Sequence, residues 1–168
     1  TAIFTKLNAK SKKVRVAAEL TIESSGLKYT ILRPTMIYGS PRDRNMWRLI
    51  RLMKQSPIIP VFGSGNHLQQ PIFVDDVAQA VVSCLSNEKT IGKSYNIAGK
   101  QALTYNQVID TIAQQMNKRV WKIHIPSKPV VGLLTLFEKI RLPFPIKAEQ
   151  VLRLNEDKAF SYEEAKRG

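Results

Sequence analysis

Hydrophobic positions along this chain recur with two alternating periods. Between residues 13 and 25, Val14, Ala18 and Ile22 share one helical face, and Gly26 stands where a left-handed cap ends a helix. Lys28–Leu32 (KYTIL) is β-branched and aromatic and predicts a strand, which should stop at Arg33-Pro34 because proline cannot donate to a central ladder. Gly39–Arg44 reads as a turn. Asp43 is placed there to cap a helix whose Met46, Leu49, Ile50 and Met53 recur at helical spacing. Pro57–Phe62 reads as extended and closes on Gly63-Ser64-Gly65. Pro71–Val74 is a short extended piece, after which Asp75 is placed to cap a helix carrying Val77, Val81 and Leu85.

Lys93–Ile97 predicts a strand, turned at Gly99. Thr104 and Gln107 spell a capping box ahead of the stripe Val108, Ile112 and Met116. Trp121–Ile125 alternates as a strand. Pro129–Ile140 is apolar on nearly every side, which predicts a buried helix, and Ile146–Leu154 predicts another. Ser161 and Glu164 form a second capping box, so a helix opens just before the chain stops at Gly168. With Thr1 in first place rather than Met, both ends are expected to be cut. Helices alternating with strands imply an α/β layer structure, and no internal repeat is visible.

Composition narrows the class. A hydrophobic fraction of 43% over 168 residues suffices for one domain with a sizeable core. The lone Cys84 excludes an internal disulfide and a cysteine-clustered metal site, which suits a cytoplasmic location. No apolar run approaches the roughly 18 residues of a membrane span, so no transmembrane segment is expected. The net charge of +13 raises nucleic acid as a partner. Its basic residues are interleaved with apolar positions rather than gathered in one arm, so solvated helix faces are expected instead of a groove.

Few residues carry chemistry by themselves. Asp75 and Asp76 are adjacent, hence divergent on a helix; they suit a cap and a first-turn charge, and no metal site is assigned. His67, in a loop with no evident partner, is expected to be exposed. His124, in a strand-like apolar segment, is expected to be a satisfied core residue. Arg33-Pro34 fits a strand end or a position beside a ligand equally well.

Four stretches together carry a resemblance. Leu32-Arg33-Pro34-Thr35-Met36-Ile37-Tyr38-Gly39 resembles an LRPxxxYG segment, and Phe73-Val74-Asp75-Asp76-Val77-Ala78 a (Y/F)VDDVA helix start. Tyr95-Asn96-Ile97-Ala98-Gly99 resembles a YNxxG strand end, and Leu103-Thr104-Tyr105 an LTY helix opening. In that order and spacing they are similar to the NAD-dependent epimerase/dehydratase family, the extended short-chain dehydrogenase/reductases. The resemblance implies the C-terminal half of a Rossmann-type parallel sheet plus a small α/β substrate lobe. It divides the chain into Rossmann-side elements at 1–56 and 71–99 and a substrate lobe at 57–70 and 100–168. It also places Pro34, Thr35 and Met36 beside the nicotinamide of NAD or NADP, with Arg33 structural.

The departures from the family matter as much. The GxxGxxG loop that lets backbone approach the pyrophosphate is absent, and Gly63-Ser64-Gly65 stands in the wrong context to replace it. This chain alone is therefore expected to bind NAD(P) weakly or not at all. With Glu19 taken as the family's helix glutamate, Ser11 falls where the acid/base tyrosine belongs and Arg15 where the lysine belongs. Thr1, or a residue before it, would fall at the Ser/Thr position. The substrate side, Arg42, His67, Gln69 and Gln70, lacks the arginine with which nucleotide-sugar epimerases hold a diphosphate, and Gln70-Pro71 is closer to relatives of the complex I accessory subunit.

Two readings follow. One is part of an NAD(P)-dependent oxidoreductase acting on a nucleotide sugar or related small molecule. The other is a noncatalytic NAD(P)-binding or assembly protein. A membrane-surface role for Lys128–Lys147 is set below burial of its apolar helix in the substrate lobe. Unpaired strand edges predict a homodimer or strand-exchanged self-association.

Overall fold

The computed structural model describes residues 2–41, 43, 45–140 and 147–167. In chain order the helices are α1 (Lys10–Glu23), α2 (Met46–Gln55), α3 (Val74–Leu85), α4 (Tyr105–Gln115), α5 (Ser127–Lys139), α6 (Ala148–Leu154) and α7 (Glu163–Arg167). The strands are β1 (Thr30–Pro34), β2 (Met36–Tyr38), β3 (Ile58–Phe62), β4 (Leu68–Gln69), β5 (Pro71–Phe73), β6 (Lys93–Ile97), β7 (Leu103–Thr104) and β8 (Trp121–Ile125). The chain is α/β, with parallel strand pairs. It divides into two interleaved units: Thr1–Arg48, Gln70–Ala102 and Lys158–Gly168 form unit one, and Leu49–Gln69 with Leu103–Asp157 form unit two. The division falls inside α2, between Arg48 and Leu49.

In unit one β1 pairs β6 in parallel, from Thr30 opposite Lys93 to Pro34 opposite Ile97. The strand takes in Arg33 and Pro34 and ends there, two residues beyond Leu32. The physical reason is the alternation of N–H directions along a strand. Thr35 donates its N–H to the Ile97 carbonyl at 3.0 Å, so the donor that Pro34 lacks would have pointed away from β6. Beyond it β2 pairs β5, from Met36 opposite Pro71 to Tyr38 opposite Phe73, and the Tyr38 and Phe73 rings meet in a tilted contact, centroids 5.6 Å apart. Gly99 follows β6 so closely that an added Cβ would lie 1.8 Å from the Pro71 carbonyl oxygen.

The helices of unit one differ from expectation. α3 begins at Val74 with Phe73 before it and no side-chain cap, so Asp75 is not the cap. Starting one residue earlier puts both Asp75 and Asp76 in the first turn, where they complement the helix dipole. α1 buries none of its residues; Val14 and Ile22, of the stripe read from the sequence, are exposed. Asp43 does cap α2, its carboxylate accepting from the backbone of Asn45, Met46 and Trp47.

In unit two β3 pairs β8 in parallel, from Ile58 opposite Trp121 to Phe62 opposite Ile125. Ile59 and Val61 on one face of β3 are buried, as are Val108, Ile109 and Ala113 of α4 and Leu49 and Met53 of α2. Each of these valines, leucines, isoleucines and methionines contributes about 1.5–3 kcal/mol by leaving water. α4 carries the Thr104–Gln107 capping box in full, and β4 and β7 add a short antiparallel ladder. Leu134, Ala148 and Val151 cluster where α5 meets α6, with Phe62, Val130 and Val131 against them. Burial of α5 stops at that stripe: Leu133, Leu136 and Ile140 are exposed, because α6 and Phe62 cover one side of the helix only.

His124 also departs from expectation. β8 is paired along one edge only among the described residues, so its α4-facing side chains lie at the border of the core. They reach polar groups on α4 instead: Lys122 pairs with Asp110 at 2.6 Å, and exposed His124 meets Asn106 at 3.2 Å.

Candidate functional site

The first candidate region is the C-terminal end of β1, where crossover sheets bind ligands. Pro34, Thr35 and Met36 are half-buried there. Arg33 extends to Glu19 of α1 in a two-pronged pair, Nη2–Oε2 at 2.8 Å and Nε–Oε2 at 3.1 Å, while its guanidinium lies 5.9 Å from the Phe4 ring centre. Phe4 in turn contacts the Phe160 ring at 5.2 Å. The Thr35 hydroxyl donates to the Gln70 carbonyl. Gln70 is buried, with Nε2 donating to the Gly99 carbonyl and Oε1 accepting from the Phe160 N–H, both at 2.8 Å. Three segments far apart in sequence are thereby locked together by one glutamine. The side chains of Arg33, Thr35 and Gln70 are all committed to the protein, which leaves the strand end a fixed, largely apolar surface.

Ser11 and Arg15 lie on α1, two turns and one turn before Glu19 at i, i+4 spacing, so the side of the helix that reaches Arg33 also carries them. Both are exposed. Arg42 lies outside the described residues, as does Thr1.

The second region is the Gly63–His67 loop of unit two, at the C-terminal ends of β3 and β8, where Gly63 donates to the Ile125 carbonyl at 2.8 Å. Gly63 and Gly65 have positive φ, and a Cβ on either would collide with Asn155 or Asn106 respectively. Asn106 holds the loop through the Ser64 carbonyl at 3.0 Å and Asn66 Oδ1 at 3.3 Å. His67 has a partner after all. Its Nδ1 lies 3.4 Å from Asp157 Oδ1, which also accepts the Leu68 N–H at 2.8 Å. The His67 carbonyl accepts from the Tyr105 N–H, and burial pushes the Tyr105 hydroxyl above the ordinary tyrosine pKa. Gln69 is buried in β4 beside this loop.

The chain therefore brings His67, Asp157, Asn106 and His124 into one loop cluster of unit two, and Arg33, Thr35 and Gln70 into one network of unit one. Sequence reasoning missed Asp157, Asn106 and the locking role of Gln70. Asp157 sits 90 residues from His67, and no local pattern announces such a pair. Asn106 had a signal, since it follows the capping residue Thr104 and so begins a helix aimed at the loop. Among the described residues no group of three His, Cys, Asp or Glu side chains could hold a metal ion, and no helix is long and apolar enough to cross a membrane.

The likeness to known proteins follows this geometry. The model of the NAD dependent epimerase/dehydratase family matches residues 12–98, from α1 to the end of β6. The mitochondrial NADH dehydrogenase [ubiquinone] 1 alpha subcomplex subunit 9 of Arabidopsis thaliana is 27% identical over 153 residues, covering 89% of this chain and 38% of the relative. The N-acetyl-alpha-D-glucosaminyl-diphospho-ditrans,octacis-undecaprenol 4-epimerase of Escherichia coli O157:H7 is 27% identical over 58% of the chain and 29% of the relative. The chain thus spans about a third of the length of these relatives. Among solved structures, the UDP-glucose 4-epimerase of Thermotoga maritima with UDP-glucose superposes at a TM-score of 0.56 over 68% of the chain and 38% of that protein, at 24% identity.

Proposed function

This chain belongs to the NAD dependent epimerase/dehydratase family, and from that premise we propose that it forms the nicotinamide-side wall of an NAD(P) site that binds the dinucleotide without tyrosine-driven hydride transfer. The observation that carries the reading is the committed network at the end of β1. Pro34, Thr35 and Met36 offer a ring a preorganised surface, while Arg33, Thr35 and Gln70 have their polar atoms engaged elsewhere. NAD or NADP would supply a hydride donor or acceptor; the chain's residues would orient its ring and exclude water. Proton transfer is where the fit fails. Ser11 is far less acidic than a phenol, and Arg15 is a fixed cation that cannot relay a proton. The extent of likeness to the Arabidopsis subunit, 89% of the chain, favours a binding or assembly role of that accessory-subunit kind.

The second reading is an NAD(P)-dependent oxidoreductase or epimerase acting on a nucleotide sugar, favoured by the Escherichia coli and Thermotoga relatives and by the His67–Asp157 pair. In it His67 and Gln69 of unit two stand on the substrate side, and Asp157 orients the imidazole. One experiment separates the two on the natural full-length protein. Calorimetric titration with NADH and NADPH is combined with turnover of UDP-glucose, read by chromatography as its oxidation or its epimerisation at C4. Dinucleotide binding without turnover is expected for the first reading. Turnover that falls at least tenfold in His67→Ala would replace it with the second. Absence of dinucleotide binding overturns both. On these 168 residues alone, weak or no binding is expected, and a micromolar or tighter Kd contradicts that. The exposed apolar sides of α1 and α3 further support self-association, which light scattering measures.

A further inference from the structure

The face of β3 and β8 opposite the unit-two core is covered at one end and bare at the other. Phe62 and Ile125, at the C-terminal ends, are half-buried, and Phe62 packs against the α5–α6 cluster. At the N-terminal ends Ile58, Pro60, Trp121 and Ile123, which the register places side by side on one face, are exposed among the described residues. Trp121 is 73% exposed, Ile123 50% and Ile58 47%. A two-stranded parallel pair needs its inner face, Ile59 and Val61, to fold. It does not need a tryptophan and two isoleucines projecting from the outer one.

Cations rim this apolar end. The Trp121 N–H donates to the Pro57 carbonyl at 2.7 Å, which places Trp121 against the turn that follows α2. Lys54, Lys118 and Arg119 line a hollow of about 260 Å³ with Met53 and Pro57, and Lys118 Nζ donates to the Lys54 carbonyl at 2.7 Å. None of these three cations has an acidic partner among the described residues. The acid available nearby, Asp110, is taken by Lys122 on the other face. Exposed tryptophan between aliphatic side chains and unpaired cations is the composition of an interfacial surface: the indole and isoleucines enter the headgroup boundary while the cations meet anionic headgroups.

We propose that the N-terminal end of the β3–β8 pair, formed by Ile58, Trp121, Ile123, Lys54, Lys118 and Arg119, is a docking surface for an anionic lipid bilayer. An RNA groove would use planar stacking groups rather than projecting isoleucines, and an acidic protein would not call for so large an aliphatic projection. The surface lies at the opposite strand ends from the Gly63–His67 loop, so lipid contact leaves that loop open.

The test uses the chain in a Trp47→Phe background, which leaves Trp121 as the single tryptophan, excited selectively above the tyrosine absorption. Co-sedimentation with vesicles of phosphatidylcholine plus about one-third phosphatidylglycerol is expected, with a blue-shifted Trp121 emission, little binding to phosphatidylcholine alone, and weakening by salt. Trp121→Ser with Ile123→Ser, and separately Lys118→Glu with Arg119→Glu, should each weaken anionic-vesicle binding by about tenfold or more while circular dichroism stays unchanged. No binding to anionic vesicles overturns the proposal. So does binding that both variants retain, or a Trp121 emission that responds to stem-loop RNA or polyglutamate and not to vesicles.

Discussion

Two parallel strand pairs end in two different kinds of loop. After β1, the polar side chains of Arg33, Thr35 and Gln70 are each taken by a protein partner, and Gly99 is pressed against the Pro71 backbone. After β3, the Gly63–His67 loop is held mainly by Asn106 and Asp157 at the surface, with His67 about one-third exposed and Asp157 two-thirds exposed. The same topology therefore yields a close-packed wall in unit one and a more exposed rim in unit two. A substitution in a packed wall must displace its neighbours, whereas at an exposed rim solvent replaces a lost contact.

The sharpest way to break this contrast is Gly99→Ala. A methyl group cannot enter beside the Pro71 carbonyl without moving β5, and a loss of about 3 kcal/mol in urea unfolding is expected. Arg33→Met strands the Glu19 carboxylate at a mostly buried position and should cost about 2–3 kcal/mol, with Glu19→Gln losing less. Gln70→Leu leaves the Gly99 carbonyl and Phe160 N–H without their partner, for about 2 kcal/mol. Across the comparison, Asp157→Asn in unit two should cost under about 1 kcal/mol, because the pair is exposed and screened. A loss there equal to that of Arg33→Met would erase the distinction between wall and rim.

The smallest effect concerns Tyr105. Burial raises its folded-state pKa above the ordinary 10.0, so the neutral phenol stabilises the fold below pH 10 and this contribution is lost as pH climbs through the raised value. Stability measured on the alkaline side of pH 10 should fall less steeply in Tyr105→Phe than in the parent chain.

How much of this was legible beforehand depends on the range of the interaction. Caps and strands written within four or five residues were read correctly at Asp43, Thr104–Gln107, Lys93–Ile97 and Trp121–Ile125. Pro34 does end β1, but as a residue still paired in register, because its missing donor would have pointed away from β6. Asp75 misled by one residue, since a helix can begin without a side-chain cap. His124 and α5 misled for a shared reason: apolar surroundings in sequence predict burial only when a second layer exists to cover them. The LRPxxxYG stretch pointed to the β1 end, yet the commitment of Gln70 to Gly99 and Phe160 depends on segments 29 and 90 residues away.

The interleaving of the two units carries a consequence for how the chain is made. The β1–β6 and β3–β8 ladders each join residues about sixty positions apart, so neither can close until a long intervening segment has been synthesised and looped out. Unit one also waits for Phe160, whose N–H seats on Gln70. During synthesis unit one would therefore stay unfinished until Phe160 has left the ribosome. Folding should be slow and late, with unpaired strands open to chaperones or to another copy in the interval.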